Sequence, residues 1–242
     1  MDCDDPEDTD QLTDEFDPKA RTLEIAAEFA ARGDSLGWFE ALYKESAGDL
    51  DLIPWADLEP NRFFTAWAEK TSLKGNGRNA LVVGCGLGDD ARYLHDLGFK
   101  VTAFDISPTA IEWAKRLHAD TDIRFEVCDL FDPPVEWLVK NAPAPPAAAG
   151  GTDQNCGFDF VLEVYTIQPL PLEMRPKVLD ALAAFVAPKG LLLSRAAART
   201  MRSLMCSRGQ CPAATFRDSK KTALSRTILS KCRAKRTSRR GL

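Results

Sequence analysis

Between residues 79 and 194 short apolar runs alternate with helical stretches, and this alternation constrains the fold more than any other feature of the chain. "ALVVG" (80–84) reads as a buried strand, followed by a helix from about 89 to 97. "KVTAFD" (100–105) is a second strand. "SPTAIEWAKRLHAD" (107–120) is a helix capped by Ser107, with Pro108 in its first position and Ala110, Ile111, Ala114 and Leu117 on one face. "IRFEVCD" (123–129) and "FDFVLEV" (158–164) are the third and fourth strands. A helix from about 172 to 187 turns Val178, Leu182, Phe185 and Val186 inward, and "GLLLS" (190–194) is the fifth strand. Strands joined through helices pair in parallel and bury both sheet faces. The expected class is therefore α/β, a doubly wound and mostly parallel sheet.

In such sheets ligands bind beyond the C-terminal strand ends, where the strand order reverses. The first strand runs into Gly84, Gly86 and Gly88, which let a backbone approach a ligand without Cβ clashes. Asp105 ends the second strand, 21 residues after Gly84, at the distance from which an acid accepts bonds from ribose hydroxyls. A dinucleotide loop reads G-x-G-x-x-G and rests a pyrophosphate on the helix N-terminus. Here the spacing is G-x-G-x-G, and Asp89 and Asp90 follow at once. Two carboxylates there repel a pyrophosphate and suit a cationic, phosphate-free nucleoside, as S-adenosylmethionine is. A plainer reading of the pair is that Asp89 caps the helix and Asp90 faces water.

The rest of the chain falls into three parts. Residues 1–17 hold nine acids and little to bury, so they read as a solvated, disordered tail. Residues 18–78 form a helical, aromatic cap. Asp17 followed by Pro18 starts a helix carrying Leu23, Ile25, Ala26, Phe29 and Ala30 up to Gly33, and a second helix covers roughly 35–46. The segment "DLDLIPWADLEPNRFFTAWAEK" reads either as packing over one end of the core or as a lid. Residues 79–194 are the nucleoside-binding domain, interrupted by the low-complexity loop "NAPAPPAAAGG" (141–151). Beyond Arg195 neither strand nor helix periodicity is evident, and residues 195–242 form a basic, low-complexity tail.

Charge sharpens that last boundary. Residues 1–193 carry 17 basic and 35 acidic side chains, whereas 194–242 carry 14 basic side chains and one acid, Asp218. Three readings of the tail stay open: a basic arm for nucleic acid or an acidic partner, plain disorder, or a segment that is not the native continuation, as after a frame shift near residue 194. No apolar run is long enough to span a membrane, and the acidic N-terminus is unlike a secretory signal, so a cytoplasmic location is expected. The seven cysteines form no regular framework. Cys85 and Cys128 fall in strand-like runs and read as reduced core residues. Cys206 and Cys211 lack a second ligand pair, so no metal site is expected.

The motifs "VVGCGLGDDARYL", "VTAFDIS", "CDLFD" and "FDFVLEVYT", taken together over roughly residues 36–193, resemble class I S-adenosylmethionine-dependent methyltransferases. With "WFEALY" and "IPW" upstream, the similarity is closest to the thiopurine and thiol methyltransferase group. The resemblance implies a Rossmann-like methyltransferase fold, from which this chain lacks the last two strands. It implies that Gly84, Cys85, Gly86 and Gly88 line the methionine part of the cofactor. Asp105 takes the ribose hydroxyls and Ile106 lies against the adenine. Asp129 lies near the adenine amino group, with Leu130 and Phe131 flanking the ring. Glu163 and Val164 stand beside the sulfonium, and Trp38 and Trp55 close the pocket. For Phe131 and both tryptophans, core packing is the alternative.

The sulfonium methyl is already electrophilic, so such an enzyme supplies mainly alignment and exclusion of water. Accordingly no acid–base apparatus is evident, and His95 and His118 read as structural or solvent-facing. "FDPPV" (131–135) follows the wrong strand for an amino-methylating motif and lacks its Tyr. After the fourth strand stands "EVYTIQPLP", in which Tyr165 and Gln168 are the candidate catalytic residues facing the acceptor. Arg175 reads as a surface residue or as an anchor for an anionic acceptor. The expected activity is methyl transfer to a small molecule, a thiol being one candidate. The alternatives are an RNA or protein methyltransferase guided by the basic tail, or a homologue that binds cofactor without catalysis.

Overall fold

The computed structural model describes residues 17–139, 157–196 and 226–231. The acidic tail up to residue 16, the 141–151 loop, most of the basic tail, and Cys3, Cys156, Cys206, Cys211 and Cys232 lie outside the described residues. The cap contributes α1 (Pro18–Ala31), α2 (Gly37–Glu45), a 3-10 turn at Leu50–Leu52 and α3 (Arg62–Lys70). The alternating domain follows as β1 (Asn79–Val83), α4 (Asp89–Asp96), β2 (Lys100–Asp105), α5 (Pro108–Leu117), β3 (Arg124–Val127), β4 (Phe158–Val164), α6 (Arg175–Ala184) and β5 (Val186–Ala196). A last strand, β6, spans Arg226–Lys231.

Local chemistry sets several boundaries. Asp17 caps α1 by accepting from Lys19 N at 2.9 Å, and Ser107 caps α5 by accepting from Ala110 N at 3.0 Å. Pro18 and Pro108 begin these helices, where the missing N–H costs nothing. Asn61 caps α3 through bonds from Phe63 N and Phe64 N. Pro176 restricts α6 in the same way, so the helix expected from 172 begins as a 3-10 turn at Leu172–Met174 and becomes α-helical only at Arg175. It ends by Phe185, and Val186 already belongs to β5. β5 starts earlier than the expected residue 190 because an irregularity between Phe158 and Phe160 lets it resume pairing after Pro188 and Lys189.

The sheet order is β3-β2-β1-β4-β5-β6. All pairs are parallel except β5 with β6, which is antiparallel, with Leu193 opposite Leu229. The sequence reading placed no strand beyond β5, and β6 corrects it by one strand. A ladder at a sheet edge needs only backbone donors and acceptors, so it forms without the period-two pattern by which strands are recognised. In β1, Ala80 and Val82 join one core with α3, α4 and α5 residues, while Leu81 and Val83 join the other with Val178 and Leu182 of α6. The register sets Val83 beside Phe104 and Glu163, so β1, β2 and β4 finish level with one another. The strand order reverses between β1 and β4, and the cap covers that end through Ile25, Trp38, Leu42, Tyr43 and Ile53.

Phe160 on β4 is 1% exposed and meets the rings of Phe64, Trp67 and Phe99 at centroid distances of 6.3, 6.0 and 5.6 Å. Its removal leaves a cavity where cap and sheet join. Phe160→Ala is expected to cost about 3–5 kcal/mol of stability. Urea unfolding monitored by circular dichroism measures it, and a loss below about 1 kcal/mol refutes this role for the ring.

Candidate functional site

Beyond the level strand ends lies a cavity of about 680 Å³. Its floor is the turn after β1, where Gly84, Gly86 and Gly88 all have left-handed backbones, with φ of 61°, 52° and 91°. A Cβ on Gly84 would lie 2.3 Å from Thr166 Oγ1, and one on Gly88 2.8 Å from the Phe125 ring, so neither position has room for a side chain. The turn is held by Asp105, 8% exposed at the end of β2. One carboxylate oxygen accepts from Gly86 N at 2.9 Å and the other from Ser107 N at 3.0 Å. Burial pushes the Asp105 carboxyl above the usual range, and these backbone donors pull against that shift.

Two more strand ends complete the floor. After β3, Cys128, Asp129, Leu130 and Phe131 line the cavity, and Asp129 accepts from Phe131 N at 2.8 Å. Burial pushes the Cys128 thiol up to about 11, with Asp129 adding to the shift, and burial raises Cys85 as well. Both cysteines are free thiols, so neither is a ready thiolate nucleophile. After β4, Val164, Tyr165, Thr166 and Gln168 form the far wall. Tyr165 has φ 61°, a conformation that costs a non-glycine residue energy and is held here by Tyr165 N bonding Arg195 O at 2.8 Å. Its hydroxyl lies 3.3 Å from Arg195 Nε.

The cap forms the roof. Trp38, Phe39 and Tyr43 come from α2 and Trp55 from the following loop. Trp55 Nε1 donates to Tyr43 Oη at 2.8 Å, and Trp38 and Trp55 meet edge to face at 6.0 Å. A wall of acids stands between roof and floor: Asp57 and Glu59 from the cap, Asp89 and Asp90 from α4. Asp90 accepts from Asn61 N at 2.7 Å, tying cap to sheet. Burial raises the Asp90 carboxyl to about 6, the Asn61 bond opposing and Asp89 assisting the shift. Burial raises Asp89 too, against the pull of His118.

The structure brings Gly84, Cys85, Gly86, Asp105, Ile106, Asp129, Leu130, Phe131, Val164, Tyr165, Gln168, Trp38 and Trp55 to this one cavity. Gly88 and Glu163 stand outside its lining. Gly88 is the left-handed residue before α4, pressed against Phe125. Glu163 is fully buried and turned away, accepting from Ile167 N at 2.9 Å and from Ser194 Oγ. Asp89 does not cap α4, because Gly88 occupies the cap position, and Asp90 bonds the cap instead of facing water. His118 lies on Phe125 with Nε2 3.0 Å from Leu87 O, and His95 pairs with Asp122 at 3.0 Å. Arg175 donates to Gln168 O at 3.2 Å, and stands outside the cavity lining. The sequence reading missed Tyr43, Asp57, Glu59, Asn61 and Thr166. For Thr166 the signal was available: Gly84 must leave room for something in the loop after the neighbouring strand.

Residues 80–190 match the family model described as a methyltransferase domain. The doubly wound sheet is accordingly the Rossmann-like methyltransferase fold. No curated protein sequence matches the chain. Among solved structures, one reported for conversion of a disulfide bond into a thioacetal group during echinomycin biosynthesis is 25% identical, with TM-score 0.46, covering 59% of this chain and 54% of that one. N-methyltransferase NodS from Bradyrhizobium japonicum WM9, in complex with S-adenosyl-l-homocysteine, is 20% identical, with TM-score 0.44, covering 65% and 71%. The 1,6-didemethyltoxoflavin-N1-methyltransferase of Burkholderia thailandensis is 17% identical, with TM-score 0.45, covering 75% and 65%. The chain thus spans only part of the length of the structures it resembles, a little over half of the first. Among the described residues no helix is long and apolar enough to cross a membrane, and no cluster of three or more His, Cys, Asp or Glu could hold a metal ion.

The elevated Asp90 pKa has a measurable consequence. The folded protein holds this proton up to about pH 6, whereas the unfolded chain releases it near the ordinary 3.8. Between those values the folded state binds more protons, so this group's contribution to stability falls as pH rises and is lowest above pH 6. Asp90→Asn is therefore expected to melt about 2–6 °C above wild type at pH near 8. The gap should close toward pH near 4. A melting-temperature difference that does not change with pH rules out a buried, ionising Asp90.

Proposed function

We propose that the protein is an S-adenosylmethionine-dependent methyltransferase acting on a small, uncharged acceptor, a thiol among the candidates. The observation that carries this reading is the pairing of a buried Asp105 with an acidic wall around an aromatic-roofed cavity. A carboxylate offers about four lone-pair sites, and bonds from Gly86 N and Ser107 N leave capacity for ribose hydroxyls. Asp57, Glu59, Asp89 and Asp90 oppose a pyrophosphate and favour a ligand carrying positive charge. The cavity volume, about 680 Å³, lies in the range of small-molecule sites, roughly 300–1,000 Å³.

The residues divide the work as follows. Asp105 accepts the ribose hydroxyls, and Ile106, Leu130 and Phe131 hold the adenine, with Asp129 at its amino group. Gly84, Cys85 and Gly86 allow the methionine part to lie against backbone. Bound in this way, the donor supplies a sulfonium methyl that needs no further activation. Trp38 and Trp55 exclude water and order the acceptor for in-line attack. Tyr165 and Gln168 hold the acceptor from the β4 side, the strained Tyr165 backbone fixing its ring. The same acidic wall disfavours polyanions such as RNA and suits an acceptor that enters without negative charge.

Methyl transfer from labelled S-adenosylmethionine to a panel of thiols, halides, amines and RNA tests the reading. Label is expected in a neutral small acceptor, and label in RNA alone overturns the acceptor assignment. Asp105→Asn is expected to weaken S-adenosylhomocysteine binding by roughly 1–3 kcal/mol. Calorimetry measures it, and an unchanged dissociation constant removes Asp105 from the site.

A further inference from the structure

The carboxylate of Glu40, on the roof helix α2, does not face the cavity. It reaches across to the start of α5, accepting from Ser107 Oγ at 2.5 Å, Thr109 N at 3.1 Å and Thr109 Oγ1 at 2.9 Å. Lys44 stands 3.2 Å away on the same helix. Burial alone would push this carboxyl upward, but the bonds from Ser107 and Thr109 outweigh it and hold it below the usual range. Ser107 is the hub. Its hydroxyl donates to Glu40 and accepts from Ala110 N, while its backbone N donates to Asp105. Asp105 in turn accepts from Gly86 N. One unbroken run of hydrogen bonds therefore joins Glu40, Ser107, Asp105 and Gly86.

We infer that Glu40 is a positioning residue that couples closure of the aromatic roof to occupation of Asp105. α2 carries Trp38, Phe39 and Tyr43 over the cavity, and Glu40 fixes that helix to the turn bearing the buried carboxylate. Hydroxyls that bond Asp105 hold this turn in one geometry, and Glu40 transmits that order to the roof. Without Glu40, α2 still packs through Leu42 and Tyr43 but loses its polar link to α5. The inference rests on the reading of the cavity as an adenosine site.

The test compares wild type, E40Q, D105N and E40Q/D105N for S-adenosylhomocysteine binding by calorimetry, with hydrogen exchange of residues 37–45 with and without ligand. E40Q keeps the shape of the side chain and replaces one acceptor oxygen with a donor. It is expected to weaken binding about five- to twentyfold and to abolish ligand-induced protection of α2. If Glu40 acts through Asp105, the double variant binds no more weakly than D105N alone. Effects that multiply overturn the inference, as does an E40Q protein that melts earlier yet keeps wild-type affinity and protection. Wild type that ignores S-adenosylhomocysteine overturns the adenosine reading and the inference together, whereas binding equal in wild type and E40Q removes the inference alone.

Discussion

A carboxylate taken out of water at the end of a strand is costly unless donors meet it, and the site is organised around that cost at Asp105. The donors are backbone N–H groups of Gly86 and Ser107, one from the glycine turn and one from the start of α5. Satisfying the charge therefore fixes the shape of two loops at once. Gly86 presents its N–H only because its backbone is left-handed, which a residue with a Cβ adopts at a cost. Gly84 yields its side-chain volume to Thr166, whose hydroxyl donates to Val83 O at 3.0 Å and binds the β4 loop to the end of β1.

The cap depends on the same arrangement from above. Its apolar contact is broad, with Ile25, Trp38, Leu42, Tyr43 and Ile53 meeting Leu87 and Ala110. Apolar contact is non-directional and leaves orientation open. Two polar ties set the direction: Glu40 to the Ser107 turn, and Asp90 to Asn61. One lies on the β2 side of the cavity and the other on the α4 side, so the aromatic roof is held at both margins. The Asp90 tie desolvates its carboxylate at some expense to stability, whereas the donors around Glu40 more than offset its burial.

The sheet was readable because alternation of apolar strands with amphipathic helices is a local pattern. β2 and β4 begin and end at the expected residues. The misplaced boundaries have structural causes invisible to periodicity: Pro176 in α6, the irregular pairing opposite Phe158, and an edge ladder in β6 built from backbone alone. Within the site, Asp105 was legible because strand end, glycine turn and spacing all point to it. Glu163 stands one residue before the end of β4, level with Phe104 and not with Asp105, and its carboxylate turns inward to Ser194, 31 residues away. The partner of Asp90 lies 29 residues upstream and that of Glu40 67 residues downstream. Tertiary pairing of this kind leaves no trace in spacing, so the ties that orient the cap emerge only from the fold.

The first turn of α4 shows how the ligand class follows from charge. A helix N-terminus presents unpaired N–H groups and positive potential, which usually invites an anion. Here Gly88 offers no capping side chain, and the next two residues are Asp89 and Asp90, both lining the cavity and both raised by burial. The protein has thus placed its own anions where a phosphate would rest. Asp57 and Glu59, exposed residues of the cavity lining, add like charge to the pair, while Asp89 and Asp90 carry theirs at reduced solvation. A phosphate would add to that repulsion, whereas a sulfonium and an ammonium on an adenosine scaffold relieve it. On the proposed reading, the feature that makes the turn unsuitable for a dinucleotide is also the one that favours a cationic donor.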